Sequence, residues 1–549
     1  MKYSLDENQE KIVSHIDGPA LVLAGPGSGK TTVLIERTIR LARKIKMPQK
    51  ILCVTFTNAA AREMEKRFLQ SQNETDDNFS QTPVFKTVHS FCNEVIKEYE
   101  RSVGVKYKRI EGNSGEKRKI FKDLYKEING EDGEEYIIDK LNDFNKKSNT
   151  VLEIKGFRKI MASYDKYKNK YCMIDFDDMI TIALEILSSA EKNKLRIREY
   201  FCSRFDYIQV DEAQDLTSEQ FAIIEMIGKH GNVFVVADDD QSIYGFRGAA
   251  PECLFKFQKN FSDCKTYYLS RNYRSVGNIV DYSCKFIAQN KDRFSKNLYS
   301  KNIKGPVPRI KCFKNGIKQA EFVCKETKKL LKVNKDTKIG VLYRNNISGL
   351  LPRAVFVCEG YNLKCGEDFF KTREMDFLDD IISVMRSMER NCVVVPTPSK
   401  MLRTLREEGL SNKLENYCRN SGRNIYYKEI LSEFLEFLCM YSGSVKNMVS
   451  LLDKIDDKNI ISRTCNTCCV ELSTVHSSKG LEYDVVFLID VVRGEFPGRN
   501  ATVGKALEEE RRLFYVAMTR AKESLYVLYP QRRGEESAFI TELKKLAAL

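Results

Sequence analysis

Tryptophan is absent from the 549 residues, so any aromatic contact must come from Phe, Tyr or His, with a smaller face than indole. No uninterrupted apolar run approaches the roughly 20 residues that a membrane-spanning helix needs. A soluble chain with no membrane partner is expected. The 17 cysteines scatter without paired spacing, and the opening Met1-Lys2-Tyr3-Ser4-Leu5-Asp6-Glu7-Asn8 has no apolar core of a signal peptide. Reduced thiols in a cytoplasm are therefore the expectation. The cluster Cys465-Asn466-Thr467-Cys468-Cys469 lacks a second Cys/His pair at zinc spacing, so no zinc is assigned there. Internal repeats and low-complexity tracts are also missing.

Positive charge is plentiful. Lys and Arg number 90 against 76 Asp and Glu, a formal net charge of +14. Such an excess suits a polyanionic partner such as nucleic acid. At roughly 150 residues per domain, three or four domains are expected.

Short β-branched runs alternate with amphipathic stretches in two regions, the pattern of parallel sheets built from βαβ units. Ala20–Ala24, Ile51–Thr55, Tyr207–Val210 and Val233–Ala237 read as strands of a first sheet, and Lys338–Tyr343 and Val485–Ile489 as strands of a second. Between strands of each sheet lies a mainly helical stretch. The first, residues 93–200, is rich in Lys, Glu and Tyr; the second covers residues 376–470.

The loop after Ala20–Leu23 carries chemistry. Ala24-Gly25-Pro26-Gly27-Ser28-Gly29-Lys30-Thr31 fits G-x-x-x-x-G-K-[ST] between a strand and the helical run starting at Thr32. Its glycines let amide N–H groups point inward as a phosphate cradle at a helix N-terminus. Gly25, Pro26, Gly27, Ser28, Gly29, Lys30, Thr31 and Thr32 form this cradle. Lys30 reaches the β- and γ-phosphates of a nucleotide, and the Thr31 hydroxyl is a Mg²⁺ ligand. The strand Tyr207–Val210 ends in Asp211-Glu212-Ala213-Gln214-Asp215, at the edge where parallel α/β sheets bind ligands. Asp211 is assigned to the metal and Glu212 to the attacking water.

At these residues the chain resembles the UvrD/Rep family of superfamily-one DNA helicases, and the resemblance runs from residue 5 to 522. Leu5-Asp6-Glu7-Asn8-Gln9 is similar to the family's glutamine motif, and Asp211–Asp215 to its D-E-x-Q-D box. Val236–Ala249, Leu269–Ser275, Thr474–Tyr483 and Glu509–Ala521 are similar to its third to sixth motifs, in family order. The resemblance implies two RecA-like parallel-sheet α/β cores, each with a largely helical insertion: 1–92 with 201–270, 93–200, 271–375 with 471–549, and 376–470. It implies that Gln9 reads the adenine edge, Tyr273 stacks on adenine and Glu482 binds the ribose. It also places Phe56, His89, Tyr244, Phe246 and His476 against DNA. Taken alone, each ring would be read as core packing. Phe246 stands where the family commonly has tryptophan, so a somewhat weaker grip is expected.

Charge that builds on the γ-phosphate during hydrolysis calls for cations placed in advance. Arg274 and Arg520 are the candidates, with Gln241 as γ-phosphate sensor. A lone Arg would otherwise be a surface salt bridge worth about 1 kcal/mol or less.

Two departures follow from length. The stretch from Ser275 to Thr474 must hold both the second sheet and the family's long insertion, so the accessory domain is expected to be small. Replacing it with a flexible linker is expected to spare ATP hydrolysis. After Arg520 no nuclease domain is expected. The resulting expectation is an ATP- and Mg²⁺-dependent helicase with 3′→5′ polarity, acting on single-stranded and tailed duplex DNA in repair, replication or genome defence. One alternative is a DNA-activated ATPase powering a separate nuclease or repair protein. The other is an inactive nucleic-acid-binding scaffold, disfavoured because the hydrolytic residues are all in place.

Overall fold

A computed structural model of the chain describes residues 5–75, 81–110, 115–142, 144, 154–261, 263–300, 303–361, 363–365, 372–391, 396–420, 425–456, 469–531 and 536–547. The chain divides into two compact units, Met1–Asn272 with Arg293–Asn297, and Tyr273–Asp292 with Leu298–Leu549.

The first unit is built on a six-stranded parallel sheet. From edge to edge its strands are Val84–Thr87, Ile51–Thr55, Tyr207–Val210, Val233–Ala237, Ala20–Ala24 and Lys265–Leu269. The central strands are buried along their length because helices cover both faces, which is why they read as mostly apolar runs. Successive side chains feed opposite layers. Leu21 and Leu23 join one hydrophobic cluster, whereas Ala20, Val22 and Ala24 join the other.

The connection between Val84–Thr87 and Tyr207–Val210 is less separate than the sequence implies. Helices Val88–Val103, Phe176–Ser188 and Lys192–Arg204 bury Phe91, Val95, Ala183, Leu187 and Phe201 in the same cluster as Leu21 and Val210. Only the part from Ile110 to Met173 has a hydrophobic cluster of its own, around Phe121, Leu124 and Tyr164. The helical body with its own core is thus shorter than 93–200. An amphipathic stripe has the same spacing whether it covers a sheet or another helix.

In the second unit another six-stranded parallel sheet runs Arg309–Phe313, Ala521–Pro530, Tyr483–Leu488, Ile339–Tyr343, Val470–Thr474 and Lys364–Cys365. Helices Thr372–Asn391, Pro398–Glu407, Leu410–Asn420, Ile425–Ser442 and Val445–Asp456 intervene before Val470. They are docked rather than detached. Ile425–Ser442 packs on helices Gly316–Val333 and Leu350–Cys358. The Gly316 amide donates to Glu433 Oε2 at 3.1 Å, and the Ser348 and Tyr426 hydroxyls are 3.2 Å apart.

Residues 465–468 of the cysteine cluster lie outside the described residues; the Cys469 thiol donates to the Lys335 carbonyl at 2.9 Å. Among the described residues no helix is long and apolar enough to cross a membrane.

Candidate functional site

The glycine loop leaves the buried strand Ala20–Ala24, and Lys30 opens the helix Lys30–Ile45. Gly29 has φ +85°, and a Cβ there would stand 2.8 Å from Gln9 Nε2. The left-handed turn therefore calls for glycine. Gln9 Nε2 donates to the Ser28 carbonyl at 3.2 Å, while Gln9 Oε1 accepts from the Asp6 amide at 3.1 Å in a capping box. The side-chain amide placed at the adenine edge by resemblance is here engaged by the loop and its own helix cap. Ser28 Oγ donates to the Gly25 carbonyl at 2.8 Å, and Asn272 Nδ2 to the Pro26 carbonyl at 2.7 Å. Loop carbonyls are thus held from three sides, with Thr31 and Thr32 half-buried on the first helical turn.

Neighbouring strands bring the acids to this loop. Lys30 Nζ lies 3.7 Å from Glu212 Oε1 and 4.0 Å from Asp238 Oδ2. Glu212 has φ +51°, a left-handed conformation that a non-glycine residue adopts at a cost. Two bonds hold the turn: the Glu212 amide donates to Asp211 Oδ1 at 3.0 Å, and Gln214 Nε2 to Glu212 Oε2 at 2.5 Å. Gln214 Oε1 in turn accepts from the Asp238 amide at 2.9 Å, and Gln241 Nε2 donates to Asp238 Oδ2 at 2.5 Å. Lys30, Asp211, Glu212 and Gln241 are therefore linked through Gln214 and Asp238.

Burial, then the charge of Glu212, pushes the Asp211 carboxyl up to about 7, against the pull of Lys30. A buried carboxylate raised in this way is stabilised by a divalent cation. Its oxygen and the Thr31 hydroxyl, on the first turn after the loop, are the hard donors that Mg²⁺ prefers, so the residue types fit the ion.

Asp238, Asp239 and Asp240 form the one group of three or more His, Cys, Asp or Glu side chains among the described residues that is close enough to share a metal ion. An ammonium fills its centre. Lys296 Nζ lies 2.6 Å from Asp238 Oδ1, 2.7 Å from Asp239 Oδ1 and 2.8 Å from Asp240 Oδ2. Burial opposes the Lys296 charge, but the three aspartates outweigh it and hold the ammonium above the usual lysine range. Arg293 closes the far side, with Nε and a terminal nitrogen donating to the two Asp240 oxygens at 2.8 and 2.7 Å. Sequence reasoning passes over Asp238, Gln214 and Lys296. Asp238 and Gln214 lie inside quoted motifs, but Lys296 is 58 residues from Asp238, one lysine in a lysine-rich chain.

Phe56, Tyr244 and Phe246 meet in the first unit. Phe56 and Tyr244 stack at 5.3 Å and 14°, and Phe246 stands at 6.1 Å and 61° to Tyr244. The Arg247 guanidinium lies 5.4 and 5.5 Å from the Tyr244 and Phe246 rings, and Phe246 is 50% exposed. His89 packs edge-on against Phe176 at 5.6 Å.

The second unit holds the remaining candidates. Tyr273 is exposed. Arg274 Nε donates to Glu482 Oε1 at 2.8 Å, and another Arg274 nitrogen donates to the Thr519 carbonyl at 3.1 Å. Arg520 is buried, donating to the Val516 and Leu481 carbonyls at 3.0 and 3.3 Å. Burial pushes the Glu482 carboxyl up, but Arg274 and Lys522 outweigh it and hold it below the usual range. The carboxylate assigned to ribose is thus paired with Arg274. His476 follows Val470–Thr474 in a turn.

Residues 5–262 match the UvrD/REP helicase N-terminal domain, and residues 267–392 and 397–532 match the UvrD-like helicase C-terminal domain. A probable DNA helicase II homolog of Mycoplasma capricolum is 28% identical over 98% of this chain and 87% of its own length. The ATP-dependent DNA helicase Rep of Buchnera aphidicola is 28% identical over 97% of this chain and 96% of its own. The ATP-dependent DNA helicase PcrA of Staphylococcus epidermidis is 27% identical, with 95% and 83% covered. With both domains matched in order over nearly the whole chain, this protein belongs to the UvrD/Rep helicase family.

Proposed function

We propose that the chain is an ATP-dependent DNA helicase that moves along single-stranded DNA and opens tailed duplexes with 3′→5′ polarity. One observation carries the reading: Lys30, Glu212, Asp238 and Gln241 gather beside the glycine loop. They lie at the carboxyl ends of three adjacent parallel strands, where sheets of this kind bind ligands. Gly25–Thr32 cradles the β- and γ-phosphates, with Lys30 as point charge. Thr31 and Asp211 would hold Mg²⁺, which neutralises phosphate charge when bound. Glu212 orients the attacking water and takes its proton; Gln241 senses the γ-phosphate. Gln9, Tyr273 and Glu482 are assigned to the adenosine, and Arg274 and Arg520 to the charge of the transition state. Phe56, Tyr244 and Phe246, with His89 and His476, grip bases by stacking and polar contact. The relatives' names, ATP-dependent DNA helicase, support the same reading.

Strand displacement on 3′-tailed, 5′-tailed and blunt duplexes tests it, beside ATP hydrolysis with and without single strands. Displacement of the 3′-tailed duplex alone is expected. Equal displacement of the 5′-tailed one would overturn the polarity, and hydrolysis indifferent to DNA would overturn the motor. A second reading, an ATPase that drives a separate nuclease or repair protein, is favoured by the docked accessory helices. Their packing on Gly316–Val333 and Leu350–Cys358 leaves less of a short segment for holding duplex. DNA-stimulated hydrolysis without displacement would select it.

A further inference from the structure

Five residues of the chain cross from one unit into the other. Arg293–Asn297 belongs to the first unit, while the residues up to Asp292 and from Leu298 belong to the second. Three contacts pin this strap. Arg293 grips both oxygens of Asp240, the Phe294 amide donates to Asp239 Oδ2 at 2.8 Å, and the Phe294 ring stacks on Phe255 at 4.0 Å and 10°. Those contacts anchor. Lys296, with a side chain 1% exposed, does something they do not: its ammonium lies 2.6 Å from Asp238 Oδ1. Asp238 is a bridge, one oxygen on Lys296 and the other on Gln241 Nε2 at 2.5 Å.

We propose that Lys296 is a positioning residue for ATP hydrolysis, fixing through Asp238 the side-chain amide of Gln241. The inference rests on the functional reading above. Without the ammonium, three adjacent carboxylates repel one another, and a buried charge that loses its partner moves or takes up another. Asp238 then turns from its place, and the Gln241 amide turns with it. Within the phosphate cradle, Gly25–Thr32, Lys30 approaches Asp238 Oδ2 at 4.0 Å, an ion-pair distance that leaves the amides of the loop outside these hydrogen bonds. A hydrolytic step needs its groups within about half an ångström of the working geometry, so turnover falls while nucleoside diphosphate binding persists.

Lys296→Met and Arg293→Gln are compared with the wild-type chain for DNA-stimulated ATP turnover and for ADP affinity and stoichiometry. For Lys296→Met the expected result is kcat at least tenfold lower per ADP-binding site, with ADP affinity within threefold. Arg293→Gln, which removes one of the two cations on Asp240 but leaves Lys296 on both Asp240 and Asp238, keeps kcat within threefold. If Lys296→Met does not fold, the variant Lys296→Met/Asp239→Asn/Asp240→Asn takes its place, since it removes two of the three clustered negative charges and still lacks the Asp238 partner. The proposal is overturned if kcat per site stays within threefold of wild type in the Lys296 variant that folds. It is equally overturned if Arg293→Gln loses as much turnover as Lys296→Met, because strap anchoring would then be the whole effect. A wild-type chain that binds ADP but never hydrolyses ATP would overturn the functional reading itself.

Discussion

Lys30 Nζ stands 3.7 Å from Glu212 Oε1, at ion-pair distance but beyond a hydrogen bond. The ammonium is therefore shared between Glu212 and Asp238 rather than locked to either. Lys30→Ala is expected to lower ATP turnover at least ~100-fold by removing the charge on the transferred phosphoryl. Stability should change by about 1 kcal/mol or less, since no hydrogen bond is lost. Steady-state hydrolysis and a thermal melt read the two effects separately.

Glu212→Gln keeps the turn and removes only the group that takes the proton. Turnover should fall by orders of magnitude while ATP and Mg²⁺ binding persist. Near-normal turnover would return Glu212 to a structural role.

Replacing both Tyr244 and Phe246 with Ala removes the ring stacked on Phe56 and the ring edge-on to it, at roughly 1–3 kcal/mol per base. Basal hydrolysis persists, and DNA stimulation and strand displacement drop together. In the wild type, log K for single strands should fall linearly with log salt concentration. Unchanged DNA affinity in the double variant would make both rings packing residues.

Glu94 connects acid stability to the first unit. It bonds Arg204 at 2.6 Å and also pairs with Lys86. Burial raises its carboxyl, but Arg204 and Lys86 outweigh burial and hold it below its ordinary 4.5. A depressed carboxyl contributes stability that is present above the unfolded value and lost as pH falls through the folded one. The Tm gap between wild type and Glu94→Gln should thus be widest near neutral pH and shrink below pH 4.5. A gap that ignores pH would exclude the ion pairs as its source.

The docking of Ile425–Ser442 alters what removal of the accessory segment should do. A linker in place of residues 372–456 would uncover Leu350–Cys358, whose Leu351, Ala354 and Val355 are buried. Hydrolysis per soluble molecule is expected to survive, but with lower solubility, because a bared apolar helix face promotes association. Size-exclusion chromatography beside an ATPase assay distinguishes this from a clean deletion.

Much of this molecule was legible in its residues. The strands Ala20–Ala24, Ile51–Thr55, Tyr207–Val210 and Val233–Ala237 are mostly apolar runs bounded by turn residues, and the structure has each between the residues expected. A strand buried on both faces is built mainly of apolar side chains, so local composition marks it. The glycine loop and the acid pair were equally plain, because a phosphate cradle demands glycine and lysine at fixed spacing.

Other relations belong to the tertiary structure alone. Sequence could not say that Val88–Val103 and Phe176–Ser188 cover the sheet instead of joining the helical insertion, since amphipathic spacing names a buried face but not its partner. Nor could it find Lys296 among three aspartates far along the chain. The local sequence determined which segments form strands and which loop can cradle phosphate, because those depend on neighbouring residues. Folding decided which distant charges share one buried place, because burial makes an unpaired charge too costly to leave alone.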